Sequence, residues 1–142
     1  MGFKLVVEGG PEKIEFSEEQ LTGVKFVMDT PEDSNARSTD VGTTLIVKGK
    51  ILTATAGEKT NGPLQLAKWS VVPVEQADTY RSVAVGVVNA GQVVREFTFP
   101  NAFVVDYTES FGDTEGIGEF ILKIKQKKDK NKDVKLEGGY GI

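Results

Sequence analysis

The feature that most restricts this chain is an alternation of period two, carried by short apolar segments that are broken by turns. In Thr43–Ala54 the residues Leu45, Val47, Gly49 and Ile51 alternate with Ile46, Lys48, Lys50 and Leu52. In Ile117–Gln126 the set Phe120, Leu122 and Ile124 alternates with Glu119, Lys123 and Lys125. Successive side chains on a strand point to opposite faces, so each segment turns one apolar face inward and one lysine-bearing face to water. Valine outnumbers leucine by 18 to 8. Branched β-carbons lose rotamer freedom in a helix and pack well on a pleated surface. The same periodicity predicts strands over Phe3–Val7, Lys13–Phe16, Leu21–Asp29, Tyr80–Val88, Gln92–Phe99 and Ala102–Glu109. Glu8–Pro11 and Asn89–Gly91 supply the hairpin turns between neighbours.

One short helix is expected over 63–70. Pro63 suits a first helical position, and Leu64/Ala67 and Leu66/Trp69 each fall three residues apart. Pro73 limits its continuation. Trp69, the only tryptophan, is read as a core anchor beneath this helix rather than as an exposed carbohydrate platform. The expected fold is therefore mostly β: a single-domain β-barrel or sandwich of antiparallel strands with one short flanking helix. The core is placed on Leu45, Val47, Ile51, Phe97, Phe99, Phe120, Leu122 and Ile124. That domain covers 1–126 and is followed by a Lys-rich tail over 127–142, flexible or docked on a neighbouring subunit. Residues 123–142 carry a local charge of +4 in a chain whose net charge is −4.

Composition removes several chemistries. The 142 residues include no cysteine and no histidine, so there is no disulfide, thiolate site or Ser-His-Asp triad. No cofactor or metal site is expected. GEKTNG (57–62) lacks the ending and the βα context of a phosphate loop. Asp29, Glu32, Asp33 and Asp40 do not follow the calcium-loop pattern. Glu109, Asp113, Glu115 and Glu119 surround a predicted hairpin, and nothing selects two of them as a catalytic pair. Ser17 and Gln20 fit a capping box, a local structural device. The longest apolar run, Val83–Val88, is too short for a spanning helix, and no signal-peptide pattern opens the sequence. An intracellular, non-membrane, non-enzymatic domain is the resulting expectation.

The order of elements adds a resemblance. A polar loop, then TTLIVKGKI, then a short helix containing KW, then strands ending REFTFPNAF, then a hairpin into GEFILKIK resembles the tail-tube proteins of contractile phage tails and phage-like injection systems. It is also similar to the haemolysin-coregulated tube protein of type VI secretion. The match covers residues 3–126, and its most telling pieces are FTFPNAF (97–103) and SFGDTEGIGEFILKI (110–124). The Lys-rich tail departs from the family pattern.

The resemblance implies a homo-oligomer, hexameric in each ring, whose rings stack into a tube. Sheath, baseplate or tail-terminator proteins would be its partners, with DNA or protein cargo passing through the lumen without specific binding. It implies assembly in the cytoplasm and a final place in a virion tail or secreted particle. The assembly contacts it suggests lie in the polar loop, at Asp29, Thr30, Glu32, Asp33, Arg37 and Asp40. Others lie in the tail, at Lys127, Lys128, Lys130 and Tyr140. The competing reading is a monomeric β-sandwich binding module for carbohydrate or protein, acting through Trp69 or the long loop.

Overall fold

The computed structural model describes residues 1–29, 42–52, 62–73, 75–113, 117–127 and 134–138. They form one antiparallel sheet of eight strands and one helix. The strands are β1 (Gly2–Glu8), β2 (Ile14–Phe16), β3 (Leu21–Asp29), β4 (Gly42–Leu52), β5 (Arg81–Asn89), β6 (Gln92–Phe111), β7 (Ile117–Gln126) and β8 (Lys135–Gly138). The helix, α1, runs Gly62–Ser70, and a 3-10 turn at Ala77–Thr79 leads into β5. The strand order is β2-β1-β5-β6-β7-β4-β3, with β8 added on β6. Of the two expected forms, the sheet is curled and not closed: among the described residues no ladder joins β3 to β1 or β2. Instead β1 and β3 approach each other as the sheet bends around the core.

The alternation seen in the sequence is the alternation of burial. Along β7 every second residue from Gly118 to Gln126 is buried. Register then aligns these faces, since Leu45 opposes Ile124, Val47 opposes Leu122 and Gly49 opposes Phe120. Gly49 is required by this packing. A Cβ there would lie 2.5 Å from Phe120 Cζ and 2.9 Å from the Gln20 carbonyl oxygen. Leu45, Val47, Phe97, Phe99, Phe120, Leu122 and Ile124 are all core residues, joined by Leu5, Val7, Val83 and Val85 from β1 and β5. Ile51 is only half-buried, because it lies toward the end of β4. Aromatic rings tie the two walls together: Phe26 of β3 stacks on Phe97 at 4.8 Å and meets Phe99 edge-on at 6.2 Å.

One sequence expectation needs correction. Gln92–Phe99 and Ala102–Glu109 are not separate strands but parts of the 20-residue β6. Proline lacks a donor and ordinarily interrupts a ladder. Here Pro100 falls where the β5 register shifts between Arg81 and Val83, at an irregularity of the ladder and not within a regular run of pairs. At this point β6 also changes partner: its first half pairs with β5 up to Ala102, and its second half pairs with β7 from Ala102 to Phe111. Strand β8 was not expected from the sequence. Part of the Lys-rich tail is a strand of this chain's own sheet, with Thr98 opposite Lys135 and Arg95 opposite Gly138.

Helix α1 starts at Gly62 and not at Pro63, and it buries Leu66 and Trp69. The Trp69 indole donates from Nε1 to the Thr79 carbonyl at 2.9 Å. The Arg81 guanidinium stands 5.2 Å over the Trp69 ring, donates from Nε to the Asp78 carbonyl at 2.9 Å and lies 3.7 Å from the Asp78 carboxylate. Only 5% of Arg81 is exposed, and that burial lowers its pKa from the ordinary value. The phenol of Tyr107 ties the other end of α1 to β6. Its oxygen is 3.1 Å from the Pro63 carbonyl and 2.7 Å from Glu109 Oε1.

Candidate assembly surface

A sheet that does not close has edges, and an edge strand offers unpaired N–H and C=O groups to another chain. Such edges are present on several strands among the described residues, the outer side of β8 included. β3 pairs only with β4, β2 pairs only with β1, and β6 beyond Ala102 pairs only with β7. β3 is the longest terminal edge, at nine residues.

Exposed apolar side chains lie on the edge strands β3 and β6 and on β7, which runs between β6 and β4. On β3 and β7 they are Met28, Ile117 and Ile121, and on β6 Val105 and Phe111, the last 66% exposed. Ile121 stands opposite Lys48 on the outward face of β4 and β7, where Ile46 opposes Lys123. Lys25 opposes Ile46 from β3. The outward face is thus apolar residues set among lysines, which suits a partner surface carrying both acids and apolar groups.

Of the residues expected to make assembly contacts, the structure places two. Asp29 ends β3, its backbone opposite Gly42 of β4. Lys127 follows β7: its amide donates to the Asn101 carbonyl at 2.8 Å, and its ammonium lies 5.2 Å over the Tyr80 ring. Tyr80 in turn meets Phe103 edge-on at 5.9 Å, so Lys127 is held against this chain's own aromatic pair. Thr30, Glu32, Asp33, Arg37, Asp40, Lys128, Lys130 and Tyr140 lie outside the described residues. Sequence reasoning did not single out Ile117, Ile121 or Phe111. The outward set of β7 was legible from its alternation with Phe120 and Leu122, but edge positions depend on strand order, which alternation does not carry.

The competing chemistries find little support in the geometry. Trp69 is 1% exposed and cannot serve as a carbohydrate platform. Glu109 accepts the Tyr107 hydroxyl hydrogen bond, and burial together with this carboxylate pushes the Tyr107 pKa well above the ordinary phenol value. Among the described residues no group of three or more Asp and Glu is placed to hold a metal ion. The exposed Lys13 bridges Glu15 at 2.9 Å and Glu8 at 3.7 Å, and its pKa is raised by them; a surface pair of this kind contributes little to stability.

No protein-family model matches the sequence, and no curated protein matches it. Solved structures do match the fold. Hcp1 from Flavobacterium johnsoniae superposes with a TM-score of 0.58 at 14% identity, over 98% of this chain and 97% of that one. An Hcp1 variant from an E. coli EAEC pathovar gives 0.55 at 11% identity, over 98% and 99% of the two chains. A chain of the anti-feeding prophage baseplate, solved by cryo-EM with 6-fold symmetrisation, gives 0.54 at 15% identity, over 96% and 93%. The chain therefore shares its fold, nearly end to end, with Hcp1 proteins and with a chain of the anti-feeding prophage baseplate.

Proposed function

We propose that this protein is a structural subunit that forms hexameric rings, which stack into the inner tube of a phage-tail-like contractile or injection apparatus. The observation that carries the reading is the two-way, near-complete fold match to Hcp1 and to the anti-feeding prophage chain. A binding module grafted onto a different scaffold would leave part of one chain unmatched. The open β3 edge and the exposed Ile121 and Phe111 give such a subunit surfaces to bury, and head-to-tail contacts between unlike patches propagate or close into rings. The role is one without turnover: contacts, spread over edges and faces, replace a reactive centre. Sheath, baseplate and terminator proteins are the partners this role requires, and DNA or protein is the cargo of the lumen. No helix among the described residues is long and apolar enough to cross a membrane. Assembly in the cytoplasm followed by incorporation into a virion tail or secreted particle fits this role.

Mass measurement and negative-stain electron microscopy of the purified protein test the reading together. The expected result is a particle of six 15.4 kDa chains with ring-shaped projections, lengthening into tubes as concentration rises. A strictly monomeric species at every concentration and salt overturns it.

A further inference from the structure

Strand β8 is held in place weakly. All four of its residues are exposed, and Leu136 remains 46% exposed although it lies opposite Phe97, itself nearly buried. Glu137 stands directly opposite Glu96, and like charges facing each other across a ladder are destabilising. Val134, packed against the core just before the strand, is the main side-chain anchor. What remains is a four-residue backbone ladder to Arg95–Thr98, and main-chain hydrogen bonds do not distinguish one copy of a chain from another.

The covalent length of the tail also exceeds what the pairing needs. Gln126 lies opposite Ala102 and Lys135 opposite Thr98. Four residue steps along β6 measure about 13 Å at strand rise. The nine steps from Gln126 to Lys135 can extend to about 30 Å. The surplus, roughly 17 Å by the same geometry, is enough to carry β8 onto an adjacent subunit packed against this one.

We infer that Arg95–Thr98 of β6 is an acceptor edge for strand β8 of a second copy of this chain, so that neighbouring subunits are linked by strand exchange. The inference rests on the self-assembling reading above. Exchange conserves every ladder contact and is opposed mainly by the tether, which keeps a chain's own strand at an effective concentration on the order of millimolar. Once subunits stand side by side in an assembly, the neighbour's strand reaches a comparable concentration and the tether's advantage is gone. Exchange between identical elements is then a low-cost link.

The absence of native cysteine makes the test clean. Thr98 and Lys135 are opposite each other and outside the core, and they leave the Glu96–Glu137 pair intact. The T98C/K135C double variant is assembled and treated with a short bifunctional thiol reagent, and then denatured and sized. Exchange predicts a ladder of covalent multiples of 15.4 kDa, and an equal mixture of T98C and K135C single variants gives a product of doubled mass that neither gives alone. A double variant that stays at 15.4 kDa overturns the exchange, whether or not rings are seen. If it does so while microscopy still shows rings, the tube reading stands without the exchange. A covalent ladder from particles that never form rings retains the exchange and removes the tube reading.

Discussion

The contact between Gly49 and Phe120 gives the sharpest test of how this core is packed. A methyl group at position 49 would come within 2.5 Å of Phe120 Cζ and 2.9 Å of the Gln20 carbonyl, well inside van der Waals separation. Gly49→Ala therefore overpacks the junction of β4, β7 and the turn before β3, at a cost of about 1–3 kcal/mol. Phe120→Leu removes the ring atoms that the new methyl would strike. It also gives up the ring contacts to Phe16 at 5.3 Å and Tyr107 at 6.2 Å, and costs about 1–3 kcal/mol through lost contacts and a small void. In the double variant the methyl occupies part of the space the ring has left. The pair should cost at least about 1 kcal/mol less than the sum of the two single changes. Urea unfolding at a protein concentration below the onset of association measures this, provided the m-values agree across the four proteins. Additivity within about 0.5 kcal/mol refutes the packing argument. So does a Gly49→Ala protein as stable as the parent.

Three further outcomes are expected. Trp69→Phe removes the buried donor to the Thr79 carbonyl and weakens the seat of Arg81, lowering stability by about 1–3 kcal/mol in thermal unfolding followed by far-ultraviolet circular dichroism. Tyr107 keeps its proton in the folded state at a pH where the unfolded chain loses it, so stability should fall as pH rises above about 10. Tyr107→Phe should reduce that alkaline decline while costing about 1 kcal/mol at neutral pH, as denaturant titrations across pH would show. Gly138→Ala drives a methyl against the Val94 carbonyl and should unseat β8, read as loss of amide-exchange protection on the outer edge of Arg95–Thr98 with the β4–β7 amides unchanged.

The fold was largely legible because alternation and burial obey the same period. Leu45, Val47, Phe120, Leu122 and Ile124 follow from the sequence because a one-residue slip of β4 or β7 would turn every one of them to water. β6 was misread as two strands because Pro100 breaks a ladder only where its missing donor is needed, and the register shift that excuses it is set by β5, from another part of the chain. β8 was not legible because Lys135, Leu136 and Glu137 carry no apolar alternation; the strand exists because β6 presents an edge, a tertiary fact. The same limit applies to the assembly surface. Lysine-rich faces can be read from spacing, but which strand is left at an edge is decided by connectivity.

One strand in this molecule belongs to both of its walls. Up to Ala102 the backbone of β6 is paired with β5, and from Ala102 onward with β7, so the two halves of the sheet share a single covalent spine. Neither half can melt without stripping bonds from a strand that the other still holds, which welds them into one cooperative unit. A pull applied along that strand travels from one wall to the other through peptide bonds, with no slip plane between them. In the stacked tube proposed above, that continuity would be a source of stiffness that side-chain packing alone does not supply.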